Sequence, residues 1–332
     1  MKIAAIILNY NSAKDTMKCL KFLCTQEFKM RNEELGMRID VALVNSAIDL
    51  RLIVVDNNSS EDLQLTINSQ QSTEFIYAEE NRGYSAGNNI GLRRATEIGV
   101  KYALVINPDM ELVDVNYMAK LVEVMERDED IVVAATDIVT PEGIHQNPML
   151  PDGDWRSSFG WIKEIFSRKQ LTDTYSFIDN YKESHECAKV SGCCLLLRMS
   201  FVEQIGYFDE YPFLYCEEAI LARQVEMAGK KMYYLVDVQA IHRHIKSEKG
   251  DPVKRFKHWQ RSRIYFYKRY SKDSWLGRQI SILSMRLYVL AFTVYKKIMK
   301  RKFGGNRHFA GKKFGGNRHF VGKKIGRNRQ NV

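Results

Sequence analysis

Short apolar runs recur along the first half of the chain at the spacing of strands in an α/β sheet. Ile3–Leu8, Leu52–Val55, Phe75–Tyr77, Tyr102–Ile106 and Ile131–Ala135 each predict a strand. Leu52–Val55 has no polar position at all, too apolar for a sheet with one wet face, which predicts a parallel strand covered on both sides. Helical stretches separate the runs. Ser12 or Asn11 suits the cap of a helix from Ala13 to Thr25, Glu61 and Asp62 open another, one follows the glycines near residue 83, and residues 114–127 read as a fourth. Residues 29–49 fit neither pattern and read as an insertion. The alternation predicts a doubly wound α/β fold with a mostly parallel sheet and helices on both faces.

The rhythm lapses over 141–188, where Pro, Gly, Trp and Phe mix with charges as in a loop-rich substrate-facing region. Lys189–Arg198 predicts one more buried strand. A turn at Gly206–Glu210 precedes Phe213–Cys216, and Glu217-Glu218 start a helix reaching Met227 that Gly229 closes. Two further helices are expected at 252–270 and 274–302. The second contains nine uncharged residues, Leu287–Tyr295, between Arg286 and Lys296-Lys297. That is short of the roughly 18 apolar residues a membrane span needs, so an interfacial helix fits better. The last segment repeats with a period of eleven, F-G-G-N-R-H-F-A-G at 303–311 and F-G-G-N-R-H-F-V-G at 314–322. It is expected to be disordered in isolation; a functional array and a duplication without a folded role both fit.

Charge changes the picture once it is located. The net charge is +10, but fifteen Lys and Arg follow the last acid, Asp273, so residues 1–273 carry −5. A mildly acidic globule with a basic extension is not the distribution of a nucleic-acid binder, and no specific nucleic-acid partner is expected. Cys19, Cys24, Cys187, Cys193, Cys194 and Cys216 contain no C-x-x-C spacing and read as free thiols in a reducing compartment. Ile3–Leu8 is too short for a signal-peptide core. A cytoplasmic location is expected.

Candidate chemistry concentrates between Asn81 and Asp109. N-R-G-Y-S-A-G-N-N-I-G leads into a helix, the helix into a strand, and the strand into Asn107-Pro108-Asp109. Pro108 cannot extend the ladder, so Asp109 is presented past the strand's C-terminal end, where α/β sheets bind ligands. An acid there can hold a hard divalent cation, which in turn holds a diphosphate. Asp56 ends another strand, and Glu217-Glu218 re-enter a helix. Singly, each suits a cap, a turn or a first-turn acid favoured by the helix dipole, and Gly83, Gly87 and Gly91 suit tight packing. Their joint order is what points to chemistry.

These segments resemble the inverting glycosyltransferases of family two, with the GT-A fold, and especially bacterial rhamnosyl- and galactofuranosyltransferase-like members. The likeness runs in order through I-L-N-Y-N-S (7–12), V-V-D-N-N-S-S-E-D (54–62), N-R-G-Y-S-A-G-N-N-I-G (81–91) and I-N-P-D (106–109). It continues through S-G-C-C-L-L-L-R (191–198), I-G-Y-F-D-E (205–210), F-L-Y-C-E-E (213–218) and H-R-H-I-K-S (242–247). It implies a transferase domain over 1–251, with a donor half to about 136 and an acceptor half from about 137. Helices at 252–302 and the tail at 303–332 would follow.

The resemblance further implies that Tyr10, Asn11, Asp56, Asn58, Asn81, Gly83, Asn88, Asn107 and Asp109 bind a UDP-, dTDP- or GDP-sugar. Asp109, the surviving acid of the family's D-x-D element, and His242 would hold Mg2+ or Mn2+, which neutralises the departing diphosphate. Glu218, beside Glu217, takes the position of the family's catalytic base with one extra methylene, and Ile220 stands where the family tends to carry another acid. A glycan or polyprenyl-linked acceptor is implied. The segment 274–332 would hold the protein on the anionic inner face of the cytoplasmic membrane. A decayed, non-catalytic nucleotide-sugar-binding protein and a nucleotidyltransferase are the alternative readings.

Overall fold

A computed structural model describes residues 1–32, 49–60, 73–162, 179–243 and 252–302. The helix expected at Glu61-Asp62, most of the expected insertion at 29–49, part of the 141–188 region and the repeat tail lie outside the described residues. In chain order the elements are β1 (Lys2–Asn9), α1 (Ala13–Asn32), β2 (Asp49–Asp56), β3 (Thr73–Tyr77), α2 (Tyr84–Glu97), β4 (Tyr102–Ile106), β5 (Met110–Leu112), α3 (Tyr117–Arg127) and β6 (Ile131–Val139). Then come a 3-10 turn (Trp155–Ser157), β7 (His185–Cys187), β8 (Cys194–Arg198), α4 (Met199–Gln204), α5 (Glu217–Met227), β9 (Lys231–His242), α6 (Pro252–Arg269) and α7 (Trp275–Lys302).

The strands form one sheet in the order β3-β2-β1-β4-β8-β6-β9-β5, with β7 paired to β9. The β2–β3, β1–β2, β1–β4 and β6–β9 pairs are parallel, whereas β8 runs antiparallel to both β4 and β6, and β5 and β7 antiparallel to β9. Alternate residues of β1 feed opposite faces: Ile3, Ala5 and Ile7 pack with α1 and α3, and Ala4 and Ile6 with α2, α4 and α5. Both faces are therefore covered, as the apolar runs required. All six cysteines are free.

Three differences from the expected layout matter. The helix after the glycine motif begins at Tyr84, so Gly87 and Gly91 lie in α2 rather than in a loop. The predicted strand over Lys189–Arg198 is a strand only from Cys194, because its first residues bond instead to the 147–149 segment, Lys189 O accepting from the Met149 amide and the Ser191 amide donating to Asn147 Oδ1. β9, the longest strand among the described residues, has no counterpart in the expected layout: Asp237 and Gln239 interrupt its apolar run in the outer part of the sheet.

α6 and α7 pack on each other and on Ala219 and Ile220 of α5 in a third cluster that includes Phe256, Met285 and Phe292. Ile220 is almost fully buried there, between that cluster and the cavity it lines with Glu217 and Glu218, so an acid at that position would be largely desolvated. A buried ion network also ties α6 inward. Asp152 accepts from Lys189 Nζ at 3.0 Å and from an Arg263 Nη at 2.6 Å.

α2 approaches β1 closely because it presents glycine. A Cβ at Gly91 would lie 2.4 Å from Ile6 Cγ2 and 3.3 Å from Val55 Cγ2. Gly91→Ala therefore overpacks the interface and is expected to lower urea unfolding stability by about 1–3 kcal/mol, against the roughly 1 kcal/mol that alanine gains in an open helix. A raised urea midpoint would refute this close contact.

Candidate functional site

Strand direction assembles the site. β1, β2 and β4 run parallel, so their C-terminal ends share one edge of the sheet. β8 is antiparallel to β4 and to β6, and β6 is parallel to β9, so β8 starts and β9 ends at that same edge. Asn9, Asp56, Asn107–Asp109, Cys193 and His242 thereby gather from residues more than two hundred positions apart in sequence. Asp56 and Asp109 flank the end of β1, on the order of 10 Å apart at two inter-strand spacings.

Asn9, passed over in the sequence, organises the first part. Fully buried, it pairs across the sheet with Asp56 in register. Its Nδ2 donates to Asp56 Oδ1 at 3.1 Å and to Ser59 Oγ at 3.0 Å, and its Oδ1 accepts from the Ser12 and Thr16 hydroxyls at 3.0 and 2.8 Å. Asp56 Oδ1 also accepts from the Ser59 amide at 3.3 Å and from the Ser59 hydroxyl. Asn11 and Asn58 both adopt left-handed backbone, with φ of 50° and 60°, which asparagine tolerates. Asn11 Oδ1 accepts from the amide and hydroxyl of Ser60, both at 2.9 Å, and Tyr10 stands exposed beside it.

The glycine motif forms the adjoining wall. Asn57 Nδ2 donates to Asn81 Oδ1 at 3.1 Å and to Gly83 O at 3.2 Å, and Asn81 Oδ1 accepts from the Gly83 amide at 2.9 Å. Gly83 has φ +99°, and a Cβ on it would lie 2.1 Å from Phe213 O, the oxygen that accepts from the Tyr84 amide at 2.9 Å. Only glycine meets both demands. Asn88 is fully buried in α2, with Nδ2 donating to Tyr84 O at 3.0 Å.

On the other side of β1, Asp109 and His242 face each other, Oδ2 to Nε2, at 3.3 Å. His242 Nδ1 lies 2.7 Å from Gln146 Oε1. Burial opposes a charged imidazole here, but Cys193 and Asp109 outweigh it and push His242 up to about 10. Asn107 closes the turn through its backbone, its amide donating to Cys193 O at 2.7 Å. Among the described residues no group of three or more His, Cys, Asp and Glu could by itself hold a metal. With the proton displaced from His242 Nε2, one carboxylate oxygen and one imidazole nitrogen converging on a point nevertheless fit a Mg2+ or Mn2+ ion whose remaining ligands are phosphate oxygens and water.

The acid pair lies one turn of chain away. Tyr215 and Cys216 hold consecutive left-handed conformations, φ 73° and 69°, strain that aims Glu217 and Glu218 from the start of α5. Gly192 passes over them: a Cβ there would lie 3.6 Å from Glu218 Cγ and 3.8 Å from Glu217 Cγ. Gly192-Cys193 thus separates the acid pair from Asn107–Asp109 and His242. Tyr84, Gly192, Asp209, Glu217, Glu218 and Gln224 help line a small cavity of about 20 Å³. Burial first, and Glu218 second, hold the Glu217 carboxyl well above its ordinary range.

Beside the acid pair, Asp209 Oδ2 accepts from the hydroxyls of Tyr265 and Tyr270 at 2.7 and 2.6 Å, and Tyr211 stacks on Tyr265 at 4.0 Å. The run of asparagines and serines at the ends of β1 and β2 could have pointed to Asn9, Asn57 and Ser59. Nothing local signals Asp209, whose hydroxyl partners lie 56 and 61 residues downstream.

The profile of the family described as "Glycosyl transferase family 2" matches residues 4–206. The low-salt glycan biosynthesis hexosyltransferase Agl10 of Haloferax volcanii is 28% identical over 172 residues, 51% of each chain. The N-acetylglucosaminyl-diphospho-decaprenol L-rhamnosyltransferase of Mycobacterium tuberculosis is 36% identical over 64 residues, 19% of this chain and 21% of that one. The matched region thus spans about half the length of the first of these relatives and less of the second. Among solved structures, the mannosyltransferase PcManGT of Pyrobaculum calidifontis in complex with GDP-Man and Mn2+ aligns with TM-score 0.52 at 14% identity, over 92% of this chain and 76% of that one. GalNAc-T7 with UDP, GalNAc and Mn2+ aligns with TM-score 0.53 at 12% identity, over 91% and 58%. The fold is accordingly the GT-A glycosyltransferase fold.

The buried acid sets a pH dependence. The folded protein keeps a proton on Glu217 that the unfolded chain releases above the ordinary value of 4.5, so this group's contribution to stability falls as pH rises past that value. Glu217→Gln cannot ionise and should flatten the fall. Urea unfolding of both proteins at about pH 5 and about pH 8 checks this, with the variant gaining on the wild type at the higher pH. A variant that instead loses ground at the higher pH would contradict the proton assignment.

Proposed function

This chain belongs to glycosyl transferase family 2, and on that premise we propose that it moves a hexose or deoxyhexose from a nucleotide-sugar donor to a glycan or polyprenyl-linked acceptor, with inversion. The observation that carries the reading is the single sheet edge at which Asp56, the Asp109–His242 pair and, across Gly192-Cys193, Glu217-Glu218 converge. The GDP-Man, UDP and Mn2+ bound by the two structural neighbours support a metal-assisted nucleotide-sugar reaction, as does the converging carboxylate–imidazole pair; a UDP-, dTDP- or GDP-sugar is the donor class the sequence resemblance implies.

In this mechanism Tyr10, Asn11, Asp56 and Asn58 take the base and ribose, and Asn81, Gly83, Asn88 and Asn107 shape the rest of the donor pocket. Asp109 and His242 would hold Mg2+ or Mn2+. When bound, the cation neutralises the diphosphate as it leaves. Glu217, kept protonated by burial, leaves Glu218 as the carboxylate that accepts the acceptor hydroxyl's proton. The acceptor oxygen forms a bond to the anomeric carbon on the face opposite the breaking bond to the nucleotide, which inverts the centre. A polyprenyl-linked acceptor would have the protein work as a peripheral enzyme at the inner face of the cytoplasmic membrane.

The test pairs binding with turnover. UDP-, GDP- and dTDP-sugars are screened by thermal shift with Mn2+, and donor consumption is then measured. Asp109→Ala should abolish the Mn2+-dependent shift. Glu218→Gln should keep that shift while turnover falls by about 10²–10⁴-fold. Nucleotide binding without turnover, unchanged in Glu218→Gln, would instead fit a decayed binding protein.

A further inference from the structure

Among the described residues α7 presents a long exposed apolar face. Leu276, Leu283, Leu287, Leu290, Val294 and Ile298 are each between 41% and 62% exposed. At 100° per residue they fall within about 80° of arc and extend about 33 Å along the axis. Ile282, Met285, Val289 and Phe292 lie on roughly the opposite side, buried against α6 and α5. The helix is therefore apolar twice over, with one stripe serving the core and the other left open by the described residues.

Charge identifies the occupant. Exposed Arg286 and Lys297 border the outer stripe, and no acid occurs anywhere after Asp273. A second copy presenting the same face would bring these cations against their equals with no carboxylate in α7 to offset them. No described helix is long and apolar enough to cross a membrane. A long apolar stripe edged by cations, followed by eight further Lys and Arg in residues 303–332, matches a surface that is apolar beneath and negative above.

We propose that the outer face of α7 is the surface on which this protein lies against an anionic bilayer, its six apolar side chains entering the headgroup–acyl boundary. This deepens the membrane placement proposed above and rests on it, but not on the transfer chemistry. α5 carries Glu217 and Glu218 and also packs on α6 and α7, so docking through α7 would set the acid pair at a fixed height above the lipid.

The test is flotation of the full chain with phosphatidylglycerol-containing vesicles and with pure phosphatidylcholine vesicles, beside the variant L283Q/L287Q/L290Q. All three leucines are exposed, so thermal unfolding should be unchanged. Wild type should float with the anionic vesicles, and the variant's partitioning should drop at least about tenfold. Donor turnover in vesicle-free buffer, which reports on the transferase reading alone, should be equal in the two. Flotation of the variant equal to wild type would leave the tail's charge as the whole attraction and overturn the proposal. So would a wild type that does not float, or one that sediments as a dimer which the triple variant dissolves.

Discussion

A single buried carboxamide governs the geometry of the site. Asn9 ends β1, and its side chain binds the end of β2 through Asp56, the following turn through Ser59, and the entry to α1 through Ser12 and Thr16. Hydrogen bonds to a charged group contribute about 1.5–3 kcal/mol, and an orphaned buried partner costs a similar amount, so the four contacts stand or fall together. With that junction formed, Asn11 and Asn58 have little choice but left-handed backbone, and Tyr10 is directed outward. The edge around Asp56 is thus held in one arrangement by the buried groups beneath it.

A second constraint links the donor wall to the acid pair. Gly83 leaves room for the Phe213 carbonyl to approach closer than any Cβ would allow, and the Tyr84 amide donates to that same oxygen. Two residues beyond Phe213 the chain turns through Tyr215 and Cys216 in strained conformations and delivers Glu217 and Glu218. Any shift of the glycine loop is therefore transmitted over a few residues to the carboxylates. Tyr84 reinforces the link from the other side, its hydroxyl donating to Gly192 O at 2.6 Å.

The acid pair is asymmetric in its surroundings. Glu217 is turned toward the cavity it shares with Tyr84 and Gln224, and burial keeps its proton on. Behind them Ile220 anchors α5 to the α6–α7 pair, and Asp152, Lys189 and Arg263 fasten α6 to the rest of the domain. The C-terminal helices are for that reason part of the support of the site as well as the bearer of an outward apolar face.

By itself the sequence determined the class of fold and marked candidate acids at the ends of strands and the start of a helix. Apolar runs of strand length, the glycines of α2 and the break at Pro108 are local signals, set by side-chain burial and backbone freedom at single positions. The helix at Glu217–Met227 and the ends of β4 were legible for the same reason. Only the tertiary structure decided which strand runs against its neighbours, that Asn9 holds Asp56, that His242 meets Asp109 from the far end of β9, and that Asp209 binds two tyrosines of α6 and its C-terminal end. Those contacts join residues 47 to 133 positions apart, and no local propensity carries a distance of that kind. They exist because burying a polar group requires a partner, and the partner is whichever residue the sheet brings to the same edge.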